Sequence, residues 1–273
     1  FVVVQGDTNT ALSGALVAAR MGIEVLHIES GCRSGNLKAP EEQNRILIDS
    51  ISKKLFCSDQ KSFNNLRREK KETSAVLVGS TTFDALARSK KLIKKDLCKK
   101  YKLAKEKYAL VTLHRAEGMS EISEFKEKVS YLNKISKEIP ILFCVHPRTK
   151  AFLKRYKIEF NKNIILEKPL THLEFISLLK DARFIISDSG GIQEEAAYFN
   201  RPCLVLRKET EWTRLVKIKK NYLIKKIDKK SIELTKKLIQ DEVFYRKNRQ
   251  IKCPESKAGA VKAIIKEIKN IHR

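Results

Sequence analysis

Ten short apolar runs punctuate the chain, at residues 1–5, 23–28, 53–57, 75–78, 107–113, 140–145, 163–166, 183–187, 202–206 and 221–224. Segments of helical pattern, such as TNTALSGALVAAR, PEEQNRILIDSISK and SEFKEKVSYLNKISKEI, separate most of them. Strands that alternate with helices pair in parallel and have both faces covered, so the spacing predicts an α/β protein. At 273 residues and 42% hydrophobic content, the chain is long enough for two such domains, each with its own core. The rhythm breaks in the Lys-rich stretch 86–106. This places a boundary there and predicts a Rossmann-like domain over 1–88 and a second, complete one over 89–273. The first run opens at Phe1 and reads as a buried parallel strand from its first position, which predicts an N-terminally truncated chain whose first sheet lacks members.

Composition excludes several classes of function. No apolar stretch is long enough to cross a bilayer, and the N-terminus lacks the layout of a signal peptide, so a cytoplasmic protein with no membrane partner is expected. The six cysteines are scattered without a C-x-x-C pair or a His at zinc spacing, which predicts buried thiols, no disulfide framework and no metal site. The net charge of +25 invites a nucleic-acid reading. Its distribution argues against one. Residues 1–85 carry 11 Lys+Arg against 10 Asp+Glu, and the excess gathers in 88–107 and 217–230. There lysines alternate with Leu and Ile, with few aromatics, and read as solvated helix faces rather than a specific nucleic-acid footprint.

In open parallel sheets, ligands bind beyond the carboxyl ends of the strands, so the polar residues after each apolar run are the candidates. QGDTNT supplies Asp7, HIESGCRSG supplies His27 and Glu29, and APEEQNR opens a helix with Glu41 and Glu42. VTLHRAE supplies His114, Arg115 and Glu117, and CVHPRTK supplies His146 and Arg148. Each has a structural alternative: Asp7 or Thr8 as a helix cap, Glu41 and Glu42 as complements to a helix dipole. SDSGGIQEE follows the eighth run. A Ser-Gly-Gly turn from strand into helix offers unobstructed N–H groups at a helix N-terminus, a site for phosphate oxygens. Glu194 and Glu195 in the next turn suit a ribose diol, and would equally suit the dipole. No G-x-G-x-x-G follows any strand, which argues against NAD, and no cofactor is expected.

QGDTNT, HIESGCRSG, PEEQNR, TLHRAE, HPRT and DSGGIQEEA, in this order, resemble the non-hydrolysing UDP-N-acetylglucosamine 2-epimerase family over essentially the whole chain. The resemblance implies a GT-B architecture of two Rossmann-like domains facing a cleft, the first incomplete here, and a homodimer. It implies interconversion of UDP-GlcNAc and UDP-ManNAc, with Asp7, Glu29, Glu41 and His114 on catalytic positions. Ser189, Gly190 and Gly191 would hold the diphosphate, with Arg115 also among the UDP ligands. Glu195 would take the ribose, and Phe175 would lie beside the uracil.

The C2 proton of an amino sugar is not adjacent to a carbonyl, so direct deprotonation is slow. Elimination of UDP from C1, loss of the C2 proton and return of UDP to a glycal reprotonated on the other face avoids that barrier. Such a route needs a phosphate cradle and proton-transfer groups. The ETEW segment at 209–212 also resembles relatives acting on UDP-2,3-diacetamido-2,3-dideoxyglucuronate. A UDP-dependent GT-B glycosyltransferase would share the Ser-Gly-Gly turn and Glu195 without needing the acidic cluster. A basic binding protein that keeps only the fold is the third class.

Overall fold

A computed structural model describes residues 1–113, 122–253 and 259–271. Among them the elements run β1 (Val2–Gln5), α1 (Asn9–Arg20), β2 (Val25–Ser30), α2 (Pro40–Ile51), β3 (Lys54–Cys57), α3 (Gln60–Arg68), β4 (Ala75–Leu77) and α4 (Thr81–Ser89). They continue with β5 (Ala109–Thr112), α5 (Ile122–Ile135), β6 (Ile141–Cys144), α6 (Pro147–Arg155), β7 (Ile164–Glu167), α7 (His172–Asp181), β8 (Phe184–Ser187) and α8 (Gly190–Tyr198). The last are β9 (Cys203–Val205), α9 (Thr213–Lys217), β10 (Asn221–Leu223), α10 (Lys229–Gln240), α11 (Glu242–Gln250) and α12 (Ala260–Ile271). Each of the ten apolar runs contains or overlaps a strand, and all pairing is parallel.

Two compact units result, one of residues 1–87 with 257–273 and one of 88–256. The first carries a four-stranded sheet in the order β1-β2-β3-β4. Val4, Ala15, Ala18, Val25 and Ile48 form one core cluster of this unit, and Leu26, Phe56 and Ile264 anchor another. Ile264 belongs to α12, so the C-terminal helix, which the sequence rhythm placed in the second domain, packs in the first unit. Its apolar stripe Ile264, Ile268 and Ile271 repeats at helical spacing and covers Leu26 and Phe56. Asp84 reinforces the junction by accepting hydrogen bonds from the backbone N–H groups of Gly259 and Val261 (2.6 Å for the latter).

The second unit has six strands in the order β10-β9-β8-β5-β6-β7. The chain winds outward from β5 through β6 to β7, then returns to the other side of β5 with β8. The ends of β5 and β8 therefore flank the topological switch point, where an open α/β sheet leaves a crevice. Successive strand residues face opposite ways. Val111, Phe143, Ile186 and Leu204 pack with one set of helices, while Leu110, Leu142, Ile185 and Val205 pack with the other.

The first Lys-rich stretch differs from expectation. Beyond α4, residues 88–107 form short 3-10 turns, with Asp96 and Lys102 in the left-handed region that ends helical growth. Residues 217–230 contain the edge strand β10, paired with β9, where the apolar run 221–224 predicts a strand. All six cysteines are buried free thiols. Among the described residues, no helix is long and apolar enough to cross a membrane.

Candidate active site

Helix α2 organises the acidic cluster of the first unit. Its buried face carries Glu42, Asn44, Arg45 and Asp49 beside a single buried isoleucine, Ile48. These polar groups hold the loops that leave β1 and β2. Asn44 donates from Nδ2 to the Asp7 carbonyl (2.8 Å) and to Asn9 Oδ1 (3.0 Å). The Arg45 guanidinium bridges Glu42 (2.8 Å) and the Asp7 carboxylate. Glu42 accepts from the backbone N–H groups of Ser34 and Gly35, both within 3.0 Å. Burial opposes ionisation of Glu42, but those backbone bonds and then Arg45 hold its carboxyl below the ordinary range.

Asp7 lies just beyond β1, between Gly6, which turns the chain at φ +72°, and Thr8, whose hydroxyl caps α1 by accepting from Ala11 N–H (3.2 Å). Thr8, not Asp7, is the cap, so the Asp7 carboxylate is engaged with Arg45 instead. Glu29 sits in β2 where the register with β3 shifts between Ile28 and Ser30, and has φ +68°. Such an irregularity re-aims a side chain, and a left-handed non-glycine residue costs about 1–3 kcal/mol that its surroundings must offset. The carboxylate turns back over Gly6, where an added Cβ would stand 3.3 Å from Glu29 Oε2. Burial first, and the nearby charge of Asp7 second, raise the Glu29 carboxyl above the ordinary range.

Asp7 and Glu29 are thus brought together. Glu41 lies in the first turn of α2, partly exposed, beside buried Glu42. His114 and Arg115 fall outside the described residues.

In the second unit, β8 is wholly buried and ends at Ser187. Ser189 occupies the N-cap of α8 without a side-chain cap bond; its N–H donates to Ser187 Oγ (3.0 Å). Gly190 cannot be replaced by a larger residue without rearrangement, because an added Cβ would stand 2.5 Å from Glu211 Oε1. Glu211 is itself buried and paired with Arg207 (3.0 Å). Among the described residues, nothing stands within 4 Å of an added Cβ at Gly191. One turn on, Glu195 Oε1 meets His172 Nε2 at 2.8 Å, while Oε2 is buried with no hydrogen-bond partner among the described residues. Phe175 lies on α7, one turn after His172, and packs half-buried against the core beneath α7 and α8.

Sequence reasoning did not single out Arg45, Asn44, Asp49, His172 or Glu211. A signal existed for α2. Glu42, Arg45 and Asp49 recur at i, i+3 and i+7, on the face where an amphipathic helix should be apolar. No comparable pattern marks His172 or Glu211, which meet Glu195 and Gly190 only through tertiary structure.

The sequence profile described as UDP-N-acetylglucosamine 2-epimerase matches residues 1–269. The UDP-N-acetylglucosamine 2-epimerase of Methanococcus maripaludis is 43% identical over 82% of this chain and 64% of its own length. The UDP-2,3-diacetamido-2,3-dideoxy-D-glucuronate 2-epimerase of Pseudomonas aeruginosa is 36% identical over 82% of this chain and 63% of its own. This chain therefore spans somewhat less than two thirds of either curated relative. The crystal structure of Methanocaldococcus jannaschii UDP-GlcNAc 2-epimerase in complex with UDP-GlcNAc and UDP is similar with a TM-score of 0.88. It is 36% identical to this chain and covers 98% of it, over 75% of its own length. Motif order, paired parallel sheets and these similarities converge: the chain belongs to the UDP-N-acetylglucosamine 2-epimerase family.

Proposed function

We propose that the protein interconverts UDP-GlcNAc and UDP-ManNAc by eliminating UDP and adding it back. The observation that carries this reading is the pairing of Asp7 with Glu29. Glu29 is driven by burial and by its acidic neighbour toward the protonated form, whereas Asp7 is ion-paired with Arg45. Two carboxyl groups in opposite environments supply a proton donor and a proton acceptor, which exchange at C2 requires. In this reading, Ser189, Gly190 and Gly191 receive the diphosphate at the N-terminus of α8, where backbone N–H groups stabilise the charge that builds on departing UDP. The unpartnered Oε2 of Glu195 accepts from the ribose, and Phe175 lies against the base. Glu41, His114 and Arg115 enter on the resemblance alone, as do the cytoplasmic setting and the homodimer.

The 43% identity to an enzyme named for UDP-GlcNAc, against 36% to the diacetamido-glucuronate enzyme, favours the simpler sugar. Incubation with UDP-GlcNAc in deuterated water is the test. UDP-ManNAc carrying solvent deuterium at C2 supports the proposal. Transfer of GlcNAc to an acceptor without C2 exchange would replace it with a glycosyltransferase, and exchange only with the glucuronate derivative would replace the substrate.

A further inference from the structure

His27 is fully buried, and among the described residues neither of its ring nitrogens meets a donor. Nδ1 lies 2.7 Å from Asp49 Oδ1, and Nε2 lies 2.9 Å from the carbonyl oxygen of Gly6. A carbonyl has no proton to give. The Asp49 carboxylate is already committed as an acceptor, taking the Gly31 N–H (3.1 Å) and Arg33 (2.7 Å) on Oδ2. A neutral imidazole carries one N–H, so its other nitrogen would press a lone pair against an oxygen in a site without water access. With Asp49 ionised, as its pairing with Arg33 favours, only the doubly protonated ring satisfies both contacts.

The two anchored backbone segments are those that carry the acidic pair. Gly6 precedes Asp7 and takes φ +72°; Gly31 follows Ser30 and left-handed Glu29 and takes φ +75°. Glycine enters this region without steric cost but is also free to leave it, so the backbone at both points is fixed only if something ties it down.

We propose that His27, held as an imidazolium, is the positioning residue of this site, clamping Gly6 directly and Gly31 through Asp49 so that Asp7 and Glu29 keep a fixed separation. The proposal rests on the epimerase reading for its catalytic consequence, but not for its geometry. The charged groups around the ring are Asp49 from α2, Arg33 from the loop after β2, and Glu29 two residues along its own strand, with Asp7 and Arg45 beyond Glu29. Burial opposes the Asp49 charge, but the hydrogen bond and charge of His27, followed by Arg33, hold its carboxyl below the ordinary range, consistent with an ion pair. The buried cation also tempers the rise at Glu29.

Two measurements on the full chain test this. In long-range proton–nitrogen spectra of histidine-labelled protein, with the His27 signals assigned by their loss in His27→Gln, both ring nitrogens should be protonated in neutral solution. In Asp49→Asn the ring should revert to a neutral tautomer. A neutral His27 in the unmodified protein overturns the proposal whether or not the chain is an epimerase. In turnover assays, His27→Gln should lower kcat about a hundredfold, as expected for reacting groups misplaced by an ångström, with UDP affinity unchanged. Unaltered kcat in that variant overturns the positioning role. Should His27→Gln not fold, the Asp49→Asn spectrum and kcat decide, since that variant keeps the side-chain shape. Absence of C2 exchange in the unmodified protein counts against the epimerase reading, and the spectra still judge the clamp.

Discussion

Gly190 and Gly31 lack side chains for different reasons, and the difference predicts different outcomes. At Gly190 an added methyl meets the Glu211 carboxylate, a side-chain group paired with Arg207 rather than fixed backbone. Gly190→Ala should fold, at a cost of about 1–3 kcal/mol in overpacking, and lose UDP affinity as Glu211 is displaced. Calorimetric titration with UDP and a denaturant melt check the two halves. At Gly31 the methyl would stand 2.4 Å from the backbone carbonyl oxygen of Ser62, in a left-handed conformation. Gly31→Ala should therefore cost about 3 kcal/mol or more, visible as a lowered denaturation midpoint. Glu195→Ala should weaken UDP binding by about 1.5–3 kcal/mol without unfolding the chain, and unchanged affinity removes Glu195 from the site. The His172–Glu195 pair also sets a pH dependence. The hydrogen bond that His172 donates to Glu195, outweighing partial burial, raises His172 above its ordinary value of 6.5. Its contribution to stability is thus fully present below pH 6.5 and is lost as pH rises through the elevated value. Urea melts across that window should show the protein and His172→Ala converging toward alkaline pH; a constant gap would mean the pair is not electrostatic.

At the scale of elements, α2 is the part whose role the sequence only half disclosed. Pro40 at the first turn and the two following glutamates mark its start plainly, and the apolar runs disclose the ten described strands, because strands of a helix-covered parallel sheet are built mostly from apolar residues. What no periodicity reveals is where a buried carboxylate points. Glu41 and Glu42 look equivalent in sequence, yet Glu42 ties down Ser34 and Gly35 while Glu41 remains partly exposed. Asp7 and Glu29 stand out as candidates in the sequence because strand ends are where open sheets do chemistry; Arg45 does not, because its partners lie 38 residues back and one turn away. The lysine tract after α4 misled for the opposite reason, as its helical propensity stops in short 3-10 turns where Asp96 and Lys102 turn left-handed. Arg45→Met should leave Asp7 and Glu42 without their common cation and cost about 3 kcal/mol, measured by thermal unfolding. Arg45→Lys should recover only part of this, since an ammonium cannot bridge two carboxylates with a planar fork.

At the scale of the molecule, the chain makes two sheets but does not divide cleanly into two successive lengths. Residues 259–271 return to the unit begun by residues 1–87, and Ile264 packs on Leu26 and Phe56. Removing 259–273 should selectively destabilise the first unit. Hydrogen exchange would then quicken in β2 and β3 while β8 and α8 stay protected, whereas uniform loss of protection would show that the units unfold together.

That return of the chain has a consequence for biogenesis. During synthesis residues 1–87 leave the ribosome long before the helix that covers their apolar face, with a contiguous six-stranded unit of 169 residues, 88–256, between them. The later-made unit can complete its fold while the earlier one still waits with Leu26 and Phe56 uncovered. Contacts between residues more than two hundred positions apart make closure slow, so for this interval the nascent chain displays a sticky surface that a holdase chaperone would recognise and that crowding would turn toward aggregation.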